Sequence, residues 1–191
     1  AFMILAQLGV QIAPLLAAAG VVGIAVGFGA QTLVRDVLAG FFILFENQFR
    51  GGDVVKIGET GGLVERITLR ATSLRDLRGA VHTIPNGAID RVTNMTFLWS
   101  RHVADIGVSY RSDPDTVIEI LRRVGAEMRR EAPWSQRMLE DPEVLGLDQF
   151  GDSALVFRVL LKTRPLQQWS VGREYNRRLK YAFDQAGIEI P

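Results

Sequence analysis

The sequence predicts a membrane protein built from an apolar helical region, a small β domain and a C-terminal α+β domain. Three observations lead there. Residues 1–34 contain no Asp, Glu, Lys or Arg. Short alternating segments separated by glycine-bearing turns fill residues 51–96. Amphipathic strand and helix patterns then follow one another from Arg101 to Pro191. The net charge of +1 hides this polarity, because Arg35 stands alone while the other 21 of the 22 basic residues lie from Arg50 onward. The expected divisions are 1–49, 50–100 and 101–191.

The apolar region comes first. One helix of 34 residues would be about 51 Å long, against a hydrocarbon core of roughly 30 Å. Gly9 and Pro14 therefore predict a break, with Ala1–Leu8 closing one membrane helix and Ala13–Val34, 22 residues, forming a full span. A chain that starts inside a helix carries the expectation of further spans upstream. The region is not a secretory signal, since it lacks a basic start and its apolar run is too long. Beyond Val34 stand Arg35 and Asp36, then nine apolar residues, "VLAGFFILF". Nine residues do not cross a bilayer, which predicts a bent helix over 36–48 lying near the interface. The Arg35–Asp36 pair reads as a contact to lipid headgroups or to another domain, or as the interfacial end of the span. The frequent Lys and Arg that follow place the C-terminal part on the cytoplasmic side.

Within the span, "GVVGIAVGFGAQ" holds four glycines in twelve residues. Glycine costs a helix interior up to about 1 kcal/mol relative to alanine, so the run needs a reason. Gly20, Gly23 and Gly27 share one face, and Ala17, Val21 and Ala25 form a second small row. Membrane helices associate through such faces by close backbone approach. Two small faces suit a helix with neighbours on both sides, as in a ring of identical helices; the alternative is a lipid-facing helix whose glycines do nothing special. Ile24 and Phe28 stack at i, i+4 between the two rows. In a ring they face the central hole, where two apolar rings exclude water by dewetting. A phosphate-binding loop is disfavoured, because Gly27-Phe28-Gly29 has no third glycine, no following GK[ST] and no preceding strand.

The β domain is expected from "GGLVERITLRATSL", where Ile67, Leu69, Ala71 and Ser73 alternate with Arg66, Thr68, Arg70 and Thr72 as one strand with a wet face. Turns are expected at Gly51-Gly52, Gly61-Gly62, Arg78-Gly79 and Pro85-Asn86-Gly87, giving four or five strands in a barrel-like unit. In the α+β domain, "VADIGVSY" reads as a strand. Asp113 caps a helix that has Pro114 at its first position and Val117, Ile118, Leu121 and Val124 on its inner face. Leu155, Phe157, Val159 and Leu161 alternate along a half-buried strand. A last helix runs from about Ser170 to Ala186 and stops at Gly187.

Other functions find little support. The absence of cysteine removes disulfides and thiolate metal sites, and His82 and His102 are too few for a metal cluster. No cofactor, metal or catalytic constellation is expected: His82 has no nucleophile motif around it, Asp113 and Asp115 read as a helix start, and Glu140, Asp141 and Glu143 as a wet loop. Arg66, Arg70, Arg75 and Arg78 raise a ring-forming nucleic-acid-binding or scaffold protein as the alternative. Glu65 and Asp76 interleave with them and no aromatic platform accompanies them, so nucleic acid is not expected as a partner. A transporter would need intramembrane polar groups, of which Gln31 alone comes near.

These features together resemble the small-conductance mechanosensitive channel family (MscS-like) over nearly the whole chain. The resemblance rests on "GIAVGFGAQTLVRDVLAG", "FENQFRGGDVVKIG", "GLVERITLRATSLRDLRGAVHTIPNG", "MTFLWSR" and "FDQAGIEIP". It implies a transmembrane pore helix, an Sm-like β domain and a ferredoxin-like α+β domain that forms a hollow cytoplasmic vestibule. It also implies a homoheptamer in the bacterial cytoplasmic (inner) membrane, multi-pass, in contact with lipids. Such a channel opens under membrane tension and passes ions and small solutes during hypo-osmotic shock. By motif position the gate falls on Ile24 and Phe28, the alanine face on Ala17, Val21 and Ala25, the glycine face on Gly20, Gly23 and Gly27, and the kinks on Thr32 and Gly40. Gln31 either presents an amide at the pore mouth or caps helix packing. Phe28, Val21 and Thr32 depart from the family's leucine, small residue and glycine.

Overall fold

The computed structural model describes residues 12–191. The expected helix end at Ala1–Leu8 lies outside them. The described residues form two compact units, one ending at Thr93 and the other spanning Asn94–Pro191.

The first unit begins with helix α1, Ile12–Phe45. Its Leu16–Phe45 part is long and apolar enough to cross a membrane. Helical hydrogen bonding continues through Arg35 and Asp36, so the expected span 13–34 and residues 36–45 of the expected segment 36–48 are parts of one element. What changes at Asp36 is the surroundings. Residues 16–29 are all exposed, whereas Asp36, Gly40 and Ile43 are buried. These three recur at helical spacing and turn one stripe onto the β strands.

The strands are β1 (Val54–Ile57), β2 (Thr60–Ile67), β3 (Ala71–Arg75), β4 (Val81–Pro85) and β5 (Val92–Asn94), with a single 3-10 turn at Asn86–Ala88. They form one sheet in the order β4-β3-β2-β1-β5. Its core is Phe49, Val55, Ile57, Val64 and Leu74, closed by Ile43 from α1. The helix end is thus a structural part of the β domain.

Two local expectations are corrected. The alternation across Arg66–Ser73 is not one strand. Thr68–Arg70 turns between β2 and β3, closed by Thr68 N–H to the Ala71 carbonyl at 2.9 Å and by Ala71 N–H to the Thr68 hydroxyl at 3.0 Å. A register shift between Val64 and Arg66 adds to this, so Thr72 and Leu74 point inward, and the supposed inner residue Leu69 is exposed. Gly61 and Gly62 lie inside β2, not in a turn. Gly62 is needed because a Cβ there would overlap the Arg75 carbonyl. The reversal sits three residues before Gly61, at Gly58, whose φ of +57° is in the left-handed region.

The second unit contains β6 (Ser100–Val108), α2 (Pro114–Arg130), the short α3 (Trp134–Arg137), β7 (Glu143–Phe150), β8 (Leu155–Thr163) and α4 (Gln168–Ala186). The sheet order is β6-β8-β7, antiparallel throughout, a ferredoxin-like arrangement with the late strand in the middle. Asp113 caps α2 as expected, its carboxylate accepting from Thr116 N–H at 2.9 Å, and Gly187 ends α4 at φ +69°. Along β8 the residues alternate between buried and half-buried. Val117, Leu121, Val124 and Met128 of α2 meet Phe157, Val159 and Leu161 of β8 and Val171, Tyr175, Leu179 and Phe183 of α4. The fully buried Tyr175 donates its hydroxyl to the Leu121 carbonyl at 3.0 Å, tying the two helices.

His102 of β6 packs where a side chain on Gly172 would have to stand. Burial lowers its pKa below the ordinary 6.5. The fold therefore favours the neutral ring, while the unfolded chain takes up a proton below about 6.5. Stability of this unit falls as pH drops through that value toward the lowered folded pKa, and is complete above it. Thermal unfolding of the whole chain between pH 7.5 and 5 checks this, and His102→Gln removes most of the dependence. An unchanged pH profile in that variant would overturn the assignment.

Candidate functional site

In the upper part of α1, Ile24 and Phe28 lie on successive turns of one face and are 61% and 74% exposed. Ala17, Gly20, Val21, Gly23, Ala25, Gly27, Gln31 and Thr32 are likewise exposed. No atom approaches within 4 Å of where a Cβ would stand on Gly20, Gly23, Gly27 or Gly29. Among the described residues both small faces are therefore without a partner, and helical spacing alone brings these residues together. An apolar helix surface this long stays out of water only in lipid or against other helices.

Lower on the same helix the environment is polar and built. Asp36 is 8% exposed, and its Oδ1 accepts from Gly87 N–H at 3.1 Å. Asn86, fully buried, donates from Nδ2 to the carbonyls of Thr68 at 2.8 Å and Leu69 at 3.0 Å. Its Oδ1 accepts from the Thr72 hydroxyl at 2.8 Å, and its N–H donates to the Arg70 carbonyl at 2.9 Å. All its amide groups are used, as burial requires. Gly40 packs against this cluster so closely that a Cβ would overlap the Leu69 carbonyl and the Asn86 amide. Two ion pairs flank the clasp: Arg70 Nε stands 3.7 Å from Asp36 Oδ2, and Arg35 Nη2 stands 3.7 Å from Asp90 Oδ1.

The Arg35–Asp36 pair thus meets the β domain, one of the readings its sequence left open. Sequence reasoning took "IPNG" as a turn and missed that Asn86 and Gly87 hold the helix. The available signal was the charged pair itself, standing between two apolar runs.

Three of the five acidic residues weighed in the sequence have partners of their own. Asp113 caps α2, Glu140 pairs with Lys162 at 3.1 Å, and Asp141 pairs with Arg129 at 3.2 Å. His82 faces Asp76 at 3.1 Å, and this contact holds the Asp76 carboxyl below the usual range. Among the described residues no group of His, Cys, Asp or Glu has the makings of a metal site.

Three models of mechanosensitive ion channels match this chain in order: transmembrane helices 2/3 on residues 1–31, the β-domain on 32–96 and the MscS C-terminal region on 102–190. The chain belongs to the MscS-like mechanosensitive channel family. A small-conductance mechanosensitive channel from Caldanaerobacter subterraneus subsp. tengcongensis is 42% identical over 188 residues, covering 98% of this chain and 66% of that protein. The moderate conductance mechanosensitive channel YbiO of Escherichia coli is 36% identical over 99% of this chain, which spans 26% of its length. This chain thus spans less than two thirds of each relative. The closed-state crystal structure of Helicobacter pylori MscS has the same fold, with a TM-score of 0.79 at 27% identity, over 99% of this chain and 74% of that one. MscS-like proteins are channels rather than enzymes, and the order of helix, β domain and α+β domain found here is that of the family.

Proposed function

We propose that this chain forms the pore-lining part of a homoheptameric channel of the bacterial inner membrane, opened by membrane tension. The single observation that carries the reading is the upper part of α1, an apolar helix exposed on every side in one chain. Its two small-residue faces flank the bulky Ile24 and Phe28. Seven such helices around an axis bury the small faces against each other and point Ile24 and Phe28 into the hole, where they keep it dry. Tension acts as a ligand for whichever state occupies more membrane area. Opening carries the two apolar rings outward until the pore wets, and ions and small solutes leave the cell during hypo-osmotic shock. Gln31 stands at the cytoplasmic mouth, and the helix hinges in the stretch from Thr32 to Gly40, where it meets the β domain. Lipids surround the assembly, and the domains beyond residue 50 form its cytoplasmic vestibule.

Patch recordings test this in cells lacking their other mechanosensitive channels and expressing the protein. Suction is expected to activate a conductance absent from control patches. Silent patches with the protein present in the membrane would instead favour a membrane-attached scaffold.

A further inference from the structure

We propose that the crossed ion pairs Arg35–Asp90 and Asp36–Arg70 are a latch, sensitive to ionic strength, that sets how firmly the lower part of α1 is held on the β domain. Two adjacent helix residues of opposite charge each face an opposite charge on the β domain, both at 3.7 Å. The pattern is self-selecting: a helix rotated to exchange the partners would put Arg35 by Arg70 and Asp36 by Asp90.

The latch has a salt-sensitive layer over a salt-insensitive one. The Arg35, Asp90 and Arg70 side chains are 68%, 91% and 73% exposed. Exposed charges are screened by mobile ions over a Debye length that falls from about 30 Å at 0.01 M to about 3 Å at 1 M. Beneath them, the Asn86–Thr72 bond, the Asn86 bonds to the Thr68 and Leu69 carbonyls and the close fit of Gly40 involve no charge. Salt therefore weakens the hold without abolishing it. Asp36 belongs to both layers, since Gly87 N–H binds one oxygen while Arg70 faces the other.

The consequence for gating rests on the channel function proposed above. A channel that lets ions out lowers the ionic strength around its own cytoplasmic side. Screening then falls, the pairs strengthen, and the helix is held more tightly, so ion loss feeds back on the element that joins the pore helix to the β domain. In a ring of identical subunits every copy contributes the same small term.

Hydrogen exchange of the full chain in detergent tests the latch independently of channel activity. Raising KCl from about 50 to about 500 mM is expected to speed exchange in residues 35–45 and 84–91 by roughly two- to five-fold, the range open to a pair of exposed ion pairs. Choline chloride should act equally. The double variant Asp36→Asn, Asp90→Asn keeps an oxygen for Gly87 N–H and removes both pairs, so its exchange should not respond to salt. Should that variant fail to fold, the charge exchange Arg35→Asp with Asp90→Arg serves instead: it should retain the response that Arg35→Asp alone weakens. A flat wild-type response, a double variant as salt-sensitive as the wild type, or a response to potassium but not to choline would each overturn the latch. In patches, the salt dependence of opening pressure should vanish in the double variant. A salt response in exchange with no conductance in any patch would leave the latch standing and sink the channel reading.

Discussion

Replacing Phe28 with serine is expected to lower the suction needed to open the proposed channel, by the equivalent of several kcal/mol over a ring of subunits, and to leave folding of the single chain unchanged. Within one chain the Phe28 ring is 74% exposed, so its loss opens no cavity and breaks no core contact. Any effect on gating must then come from what faces Phe28 in the assembly. Exposing a phenyl ring to water that was formerly excluded costs roughly 1.5–3 kcal/mol. A ring of subunits multiplies that term, so even partial wetting shifts the closed–open balance by several kcal/mol. A hydroxymethyl group removes the penalty and lets the closed pore fill with water. The companion substitution Gly27→Val works in the opposite direction. Among the described residues nothing beyond the helix's own backbone stands within 4 Å of a Cβ at Gly27, so valine fits the isolated helix. It raises the opening pressure only if a neighbouring helix occupies that space. Pressure–response curves read both effects, and thermal unfolding confirms that the chain is otherwise intact. Thresholds equal to wild type in both variants would remove Ile24 and Phe28 as the gate and the glycine face as a packing surface.

Gly40→Ala is expected to destabilise the first unit by about 1–3 kcal/mol, lowering its melting temperature by several degrees. The added methyl meets the Leu69 carbonyl, which is backbone, and the Asn86 amide, which is already committed to three hydrogen bonds. Neither yields cheaply. Relief comes only by lifting the helix from the β domain, which loosens the Asp36–Gly87 contact and the burial of Ile43. This separates two roles for the residue. A position that served only as a flexible joint would accept alanine with unchanged stability and altered gating. A position needed for close approach loses stability first. Melting of the purified protein, together with exchange of the amides at 68–70 and 84–88, distinguishes them.

What could be read from the sequence depended on how far apart in the chain the interacting groups lie. The Asp113 cap, the Gly187 stop and the alternation of β8 are set by neighbours within a few residues, and all were legible. The apolar character of α1 was legible for the same reason. The burial of Asp36 was not, because its donor at Gly87 lies 51 residues on and nothing near Asp36 announces it. Simple alternation puts Thr72 on the wet side because it runs across a turn that the Thr68 hydroxyl creates. The two glycines of β2 read as a turn by local rules, which do not reveal that another strand's backbone passes against one of them. Gly40 was legible as special, but the reason, contact with Leu69 and Asn86, required the folded chain.

The unbroken hydrogen bonding of α1 makes the helix a lever with its fulcrum at Asp36 and Gly40. From Gly40 up to Ile24 the axis runs about 24 Å, so a tilt of roughly 10° about the clamped end displaces Ile24 sideways by about 4 Å. Phe28, nearer the fulcrum, travels about a quarter less. The two rings proposed as the gate would therefore part at different rates under the same rotation, the one farther from the β domain leading.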